Sequence, residues 1–188
     1  MATNLTDESR EFRAPQTMTP AELGDNLALL VWESFSDFLS KQDVETPLPD
    51  SFATAEAPEG PTEHTVEEAL IFFMWAHTRG VQQAFLGRAP DDLIRDGLDA
   101  LHRAVFEDMV SHGTPSAQLP IFEQRVGARY SEYHQAAAES DSRLGEVVCR
   151  HLTGDPDNCM EMAVAMTERA VAVAHPLRDF LEEVELVS

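Results

Sequence analysis

The amino-acid sequence predicts an all-α fold, a bundle of five or six helices with a long proline-rich connector after the first helix. Apolar residues recur every three or four positions along most of the chain, as they do on one face of a helix. Helix-starting signals precede these stretches, and no run alternates apolar and polar residues for long enough to form a strand. The length of 188 residues suits one domain, which we expect over residues 19–188.

The first helix is predicted to begin at Thr19-Pro20 and to end near Lys41, after a disordered tail over residues 1–18. Residues 43–63 hold four prolines among small and acidic residues, which is typical of an extended connector. A segment of this length can reach roughly 65 Å when extended. The connector therefore allows the first helix to pack on a second subunit.

The remaining helices follow from the same spacing and from local start and stop signals. Residues 69–76 are apolar on every side, so the helix that contains them should lie in the middle of the fold. The stretch from residue 122 to residue 152 is either one long helix or two, and Ser140-Asp141-Ser142 favours a break. The last helix should start at Asp155-Pro156 and continue beyond Pro176.

The charge of the chain is strongly acidic, with 34 Asp and Glu against 13 Lys and Arg and a formal net charge of -21. Phosphate-rich partners bind through Lys and Arg, so we expect no nucleic acid and no anionic membrane as a partner. The chain also has no apolar run of about eighteen residues and no export signal at its start. We interpret the acidity as a device for solubility at high salt, in preference to an acidic binding patch.

The two cysteines, Cys149 and Cys159, are too few and too far apart for a CxxC metal or redox site. Reduced thiols in the cytoplasm are the expectation, and the predicted location is cytoplasmic. The alternative is a bridge between adjacent helices, since the two residues flank a predicted turn at residues 154–157.

No catalytic set is recognisable in the sequence. None of the seven histidines has a glutamate three residues before it, as the usual di-metal sites of helical bundles require. Glycine-rich phosphate loops, Gly-x-Ser-x-Gly and His-Glu-x-x-His are also missing. The catalytic residues are therefore unknown, and we expect no metal and no cofactor.

The best candidates for a ligand pocket are Trp75, His77, Arg79 and Tyr130. His77 lies on the apolar stripe of the second helix, next to Trp75 and ahead of Arg79. Such a histidine is either a ligand or general base in a bundle pocket, or a core residue hydrogen-bonded to its surroundings. The second interpretation is favoured, because buried polar groups normally find structural partners.

The sequence thus predicts a non-catalytic, acidic helical protein that acts through protein–protein contacts as a homodimer. The alternative is a helical-bundle enzyme that binds a small ligand or a metal in a pocket near His77. A maturation chaperone is a third possibility, by analogy with other acidic helical proteins of this size.

Overall fold

The computed structural model describes residues 16–40, 62–154 and 160–188. These ranges form an all-α bundle, which confirms the predicted fold class. The six helices are α1 (Pro20–Ser40), α2 (Glu63–Phe85), α3 (Asp91–Ser111), α4 (Leu119–Glu139), α5 (Asp141–Thr153) and α6 (Met160–Glu182). A 3-10 turn at Ser116–Gln118 precedes α4, and two short strands, β1 (Gln16–Met18) and β2 (Val184–Leu186), pair in parallel.

Side-chain caps fix the starts of α1 and α5 where the sequence predicts them, whereas the predicted start of the last helix at Asp155-Pro156 lies outside the described residues. The backbone N–H of Thr19 donates to Glu22 Oε2 at 2.8 Å, and the N–H of Glu22 donates to Thr19 Oγ1 at 3.3 Å, which is a capping box. Ser140 has extended backbone and accepts a 3.0 Å hydrogen bond from the N–H of Arg143. This cap separates α4 from α5, so the predicted break is confirmed.

Helix α2 lies in the middle of the bundle, as its uniform hydrophobicity predicts. Every residue from 69 to 76 is buried. Phe72 packs against Phe73, Trp75 and Tyr133 of α4, and Trp75 also packs against Tyr133. Helix α6 contacts both α2 and α5. The side chains that α2 presents to its neighbours therefore decide which sites the fold can build.

Helix α1 packs on its own chain, chiefly against α3. Leu23 and Leu27 are fully buried, and a Cβ atom added to Gly24 would overlap Ala100 of α3. The indole Nε1 of Trp32 donates to Asp108 Oδ2 at 2.8 Å across the same interface. The hypothesis that the connector delivers α1 to a second subunit is therefore wrong.

The predicted disordered tail is wrong for residues 16–18, which form β1. Gln16 pairs with Val184 and Met18 with Leu186, so the start of the described domain is joined to its end. A three-residue strand is too short to show alternation, which is why the pattern did not predict it. Residues 1–15 of the predicted tail and residues 43–61 of the predicted connector lie outside the described residues.

Cys149 on α5 is disulfide-bonded, so the expectation of reduced thiols is wrong at this position. The chain's other cysteine, Cys159, lies outside the described residues. Because reduced thiols were the argument for a cytoplasmic location, that location loses its support from the cysteines. In the part of the chain that the structure describes, no helix is long and apolar enough to cross a bilayer.

The contact between α5 and α6 depends on a glycine, and we expect Gly145→Ala to lower the free energy of unfolding by about 2 kcal/mol. A Cβ atom at this position would overlap Ala163 O and Thr167 Oγ1, and would lie 2.9 Å from the carbonyl carbon of Ala163. Urea unfolding measures the change.

Gly127→Ala is the matched control, because Gly127 is exposed on α4 and a Cβ atom there would have nothing within 4 Å. It should raise the stability by about 0.5 to 1 kcal/mol through helix propensity alone. Equal effects of the two substitutions would contradict the close approach of α5 and α6.

Candidate functional site

An apolar groove runs between α1 and α6, with α2 beneath it, and has a volume of about 780 Å³. We refer to it as the α1–α6 groove. Its floor is formed by Phe73 and Leu177, which are 2% and 4% exposed. Its apolar walls are Leu29 and Leu30 on α1 and Val173, Pro176 and Phe180 on α6.

The upper edge of the groove leaves large apolar side chains in water. Leu29 is 68% exposed and Phe180 is 37% exposed. Single exposed apolar residues are ordinary, but here they border a continuous apolar depression. An apolar partner surface placed on the groove would remove both side chains from water.

Charge around the groove differs between its two walls. Helix α1 carries Glu22, Asp25, Glu33 and Asp37, and it has no Lys or Arg between residues 20 and 40. Arg169 of α6 is buried at one end of the groove, with its guanidinium carbon 5.1 Å from the ring centroid of Phe38. Helix α1 is therefore acidic, and Asp37 is its carboxylate among the residues that line the groove, so α1 repels an approaching acidic surface.

The four residues predicted to form a ligand pocket do not line one pocket. Trp75 and Arg79 share a cleft of about 180 Å³ with residues of α5 and α6, which we refer to as the α2–α6 cleft. Tyr130 lines a different, open cleft between α3 and α4. His77 lies in the core, only 3% exposed.

The surroundings of His77 are those of a structural core histidine. Its Nδ1–H donates to the backbone carbonyl of Phe73 at 2.8 Å, one helical turn earlier. Burial lowers the pKa of His77 to about 4 because it disfavours the charged ring, and the hydrogen bond to Phe73 opposes this only in part. The ring is therefore neutral near pH 7.

The α2–α6 cleft combines a buried indole with charged side chains. The guanidinium carbon of Arg79 lies 5.5 Å from the ring centroid of Trp75, and Arg79 Nη2 is 4.0 Å from Asp141 Oδ1. The other polar side chains of the lining are Gln83, Thr167, His175 and Arg178. Trp75 is fully buried, and its Nε1–H has no hydrogen-bond partner among the described residues.

Tyr130 belongs to a hydrogen-bonded chain that joins α2, α4 and α3. His102 Nδ1–H donates to the carbonyl of Leu98 at 2.6 Å, so in the neutral ring Nε2 accepts from the Tyr130 hydroxyl at 2.9 Å. The hydroxyl of Thr78 then donates to the Tyr130 oxygen at 3.3 Å. Burial raises the pKa of Tyr130 far above its ordinary value, which keeps the hydroxyl protonated.

A buried ion pair between α2 and α4 was missed by the sequence analysis. Glu68 is fully buried and accepts two hydrogen bonds from Arg129, from Nε at 2.8 Å and from Nη2 at 3.0 Å. Arg129 Nη1 also donates to Glu132, whose other oxygen lies 2.7 Å from Nε2 of His151. The one signal in the sequence was a carboxylate at the edge of the apolar centre of α2, one position before Ala69.

The second acid of this network is held in its charged form. Burial raises the pKa of Glu132, but the hydrogen bond from His151 and the charges of His151, Arg129 and Arg150 outweigh it, and the pKa is lowered. Glu132 therefore links α4 to α5 while Glu68 links α2 to α4. The network has the geometry of a structural clamp between three helices.

Neither a metal centre nor a relative identifies the site. Among residues 16–40, 62–154 and 160–188, no group of three or more His, Cys, Asp or Glu side chains is placed to hold a metal ion. The chain matches no protein-family model, no curated protein and no solved structure. The candidate sites are thus defined by geometry alone, as the α1–α6 groove and the α2–α6 cleft.

Proposed function

We propose that this protein is a non-catalytic helical protein that acts through protein contacts, and that a second copy of the chain occupies the α1–α6 groove. The observation that supports the proposal is Leu29, which is 68% exposed at the edge of an apolar groove. A two-fold axis beside α1 places Leu29 of each copy against the groove of the other. Leu29 and the groove lie side by side on one surface of each copy, as a contact between two identical surfaces requires.

The polar clusters of the core support a non-catalytic role. The guanidinium group of Arg129 is held by Glu68 in a paired geometry, and the Nδ1–H of His77 is held by a backbone carbonyl. Both groups have structural partners that account for their positions.

Because the contact is apolar and the copies carry like charge, we expect the dimer to become tighter as salt is added. Each chain has a formal net charge of -21, and helix α1 beside the groove is acidic. The Debye length falls from about 10 Å at 0.1 M salt to about 3 Å at 1 M, so repulsion is screened while apolar burial remains. Sedimentation equilibrium in both buffers measures the change in the dissociation constant.

Leu29→Glu should weaken the dimer by about a hundredfold, because each copy loses an apolar anchor and gains a charge. Ile121→Glu is the matched control, since Ile121 is 63% exposed on α4 and does not line the groove. A wild-type chain that stays monomeric at about 1 M salt and at high concentration would overturn the proposal. So would an equal effect of the two substitutions.

A basic partner protein is the competing occupant, and the same experiment separates it. If the groove binds segments that carry Lys and Arg, the isolated chain stays monomeric. A cationic amphipathic peptide then binds to it more tightly at low salt than at high salt. That pair of results would replace the homodimer with a heteromeric complex.

A further inference from the structure

We propose that the α2–α6 cleft binds a small organic anion through an oxyanion group, either a carboxylate or a phosphate. The cleft has a volume of about 180 Å³, which limits the ligand to a small molecule. It is lined on α2 by Trp75 and Arg79 and on α6 by Val171, His175 and Arg178. The proposal does not depend on dimerisation.

The two helices bring their residues to the cleft by helical spacing. Trp75 and Arg79 are one turn apart on α2, and Val171, His175 and Arg178 follow at intervals of four and three on α6. The groove side of α6 presents Val173, Pro176, Leu177 and Phe180, which point the opposite way around the helix. One helix thus offers an apolar face to the groove and a partly basic face to the cleft.

The charge of the cleft is opposite to that of the chain. Acidic residues outnumber basic ones 34 to 13 overall, yet Arg79 and Arg178 face Asp141 alone among the carboxylates that line the cleft. Asp141 is largely exposed and lies 4.0 Å from Arg79, so it neutralises that guanidinium only weakly. Arg178 also contacts Glu182 at 3.7 Å, and both side chains of this pair are exposed.

Trp75 forms the buried floor of the cleft beneath Arg79. Its indole N–H is buried and has no hydrogen-bond partner among the described residues, so its signal reports on the surroundings of the cleft. Arg79 lies over the face of the same indole, which orders its planar guanidinium for paired hydrogen bonds to an oxyanion. Val171 and the buried Leu144 offer apolar surface to the remainder of the ligand.

The test is a titration of the full chain with butanoate and, in a separate experiment, with inorganic phosphate. Binding is monitored through the indole N–H signals in a ¹H–¹⁵N spectrum. The chain has two tryptophans, and Trp32 serves as an internal reference because its N–H already donates to Asp108. We expect a saturable shift of the Trp75 signal alone, at constant ionic strength. The anion that binds more tightly identifies the oxyanion class.

Arg79→Gln and Arg178→Gln should each weaken binding by about tenfold, because each removes a charged donor. Arg178 is half-exposed, so its substitution leaves the fold intact even if that of Arg79 does not. Arg95→Gln, on the exposed surface of α3, is the matched control and should bind as the wild type does. The proposal is overturned if neither anion gives a saturable shift, or if all three variants bind alike.

Discussion

Glu68→Gln is expected to lower the free energy of unfolding by about 3 kcal/mol, the largest loss that we predict for a single substitution. The glutamine keeps the shape of the side chain but leaves the guanidinium of Arg129 without its buried counter-charge. Glu132 still contacts Arg129 at 3.3 Å, which places the expected loss at the lower end of the range for broken buried pairs. Urea unfolding at neutral pH measures it.

Two further variants test whether the loss of stability comes from leaving a buried charge unpaired or from losing any ion pair. Replacing both partners, with Glu68→Leu and Arg129→Met together, should restore stability to within about 1 kcal/mol of the wild type, because no buried charge is left unpaired. Glu146→Gln breaks an exposed pair with Arg143 and should cost less than about 1 kcal/mol. Equal losses for Glu68→Gln and Glu146→Gln would show that the buried pair does not form as described.

Acidification from about pH 7.5 to about pH 4.5 is expected to remove about 2 to 3 kcal/mol more stability from the wild type than from His77→Leu. The folded state holds the pKa of His77 at about 4, below its ordinary value of 6.5. The unfolded state therefore binds the proton first, and this stability is present above pH 6.5 and is lost as the pH falls toward 4. Urea unfolding at each pH gives the difference.

The comparison with His77→Leu separates the contribution of His77 to the pH dependence of stability from the contributions of the other titratable groups. Burial also lowers the pKa of His102, but that ring is present in both proteins and its contribution cancels. If His77→Leu keeps the wild-type pH dependence, the imidazole of His77 is not buried in the neutral form.

The features that the sequence predicted are those that depend on neighbouring residues. Thr19 and Glu22 are three positions apart, and their capping box marks the start of α1 without reference to the rest of the chain. Ser140 likewise marks the break before α5, because its hydroxyl oxygen accepts a hydrogen bond from the backbone N–H of Arg143. Helix positions and the burial of α2 could be predicted for this reason.

The features that the sequence did not predict depend on residues far apart in the chain. Glu68 and Arg129 are 61 positions apart, and nothing near either residue indicates its partner. Helical spacing does place Leu27 and Leu29 on different sides of α1, and the first is fully buried while the second is 68% exposed. It could not show that α3 packs on the buried side of α1 or that α6 borders the side of Leu29.

The same limit applies to the predicted pocket residues. Helical spacing correctly placed Trp75 and Arg79 one turn apart, and the structure puts both in one cleft. The sequence also favoured a hydrogen-bonded core position for His77, and His77 is buried, but it could not show that Tyr130 contacts His102 on another side of the bundle. Arg178, which completes the cleft, comes from α6 and carried no local signal.

The two faces of α6 make the groove and the cleft independent in experiment. Leu29→Glu changes the groove without touching Trp75 or Arg79, so it should leave the anion titration unchanged. Arg178→Gln changes the cleft and should leave the salt dependence of association unchanged. Each variant thus serves as a control for the other proposal.

Methyl NMR spectra recorded over a dilution series at about 1 M salt test the central claim most directly, because they locate the contact as well as detect it. Association through the α1–α6 groove predicts that the methyl signals of Leu29, Leu30 and Val173 move with concentration, while that of Ile121 on α4 stays fixed. Signals that move only outside the groove, or that do not move at all, would contradict it.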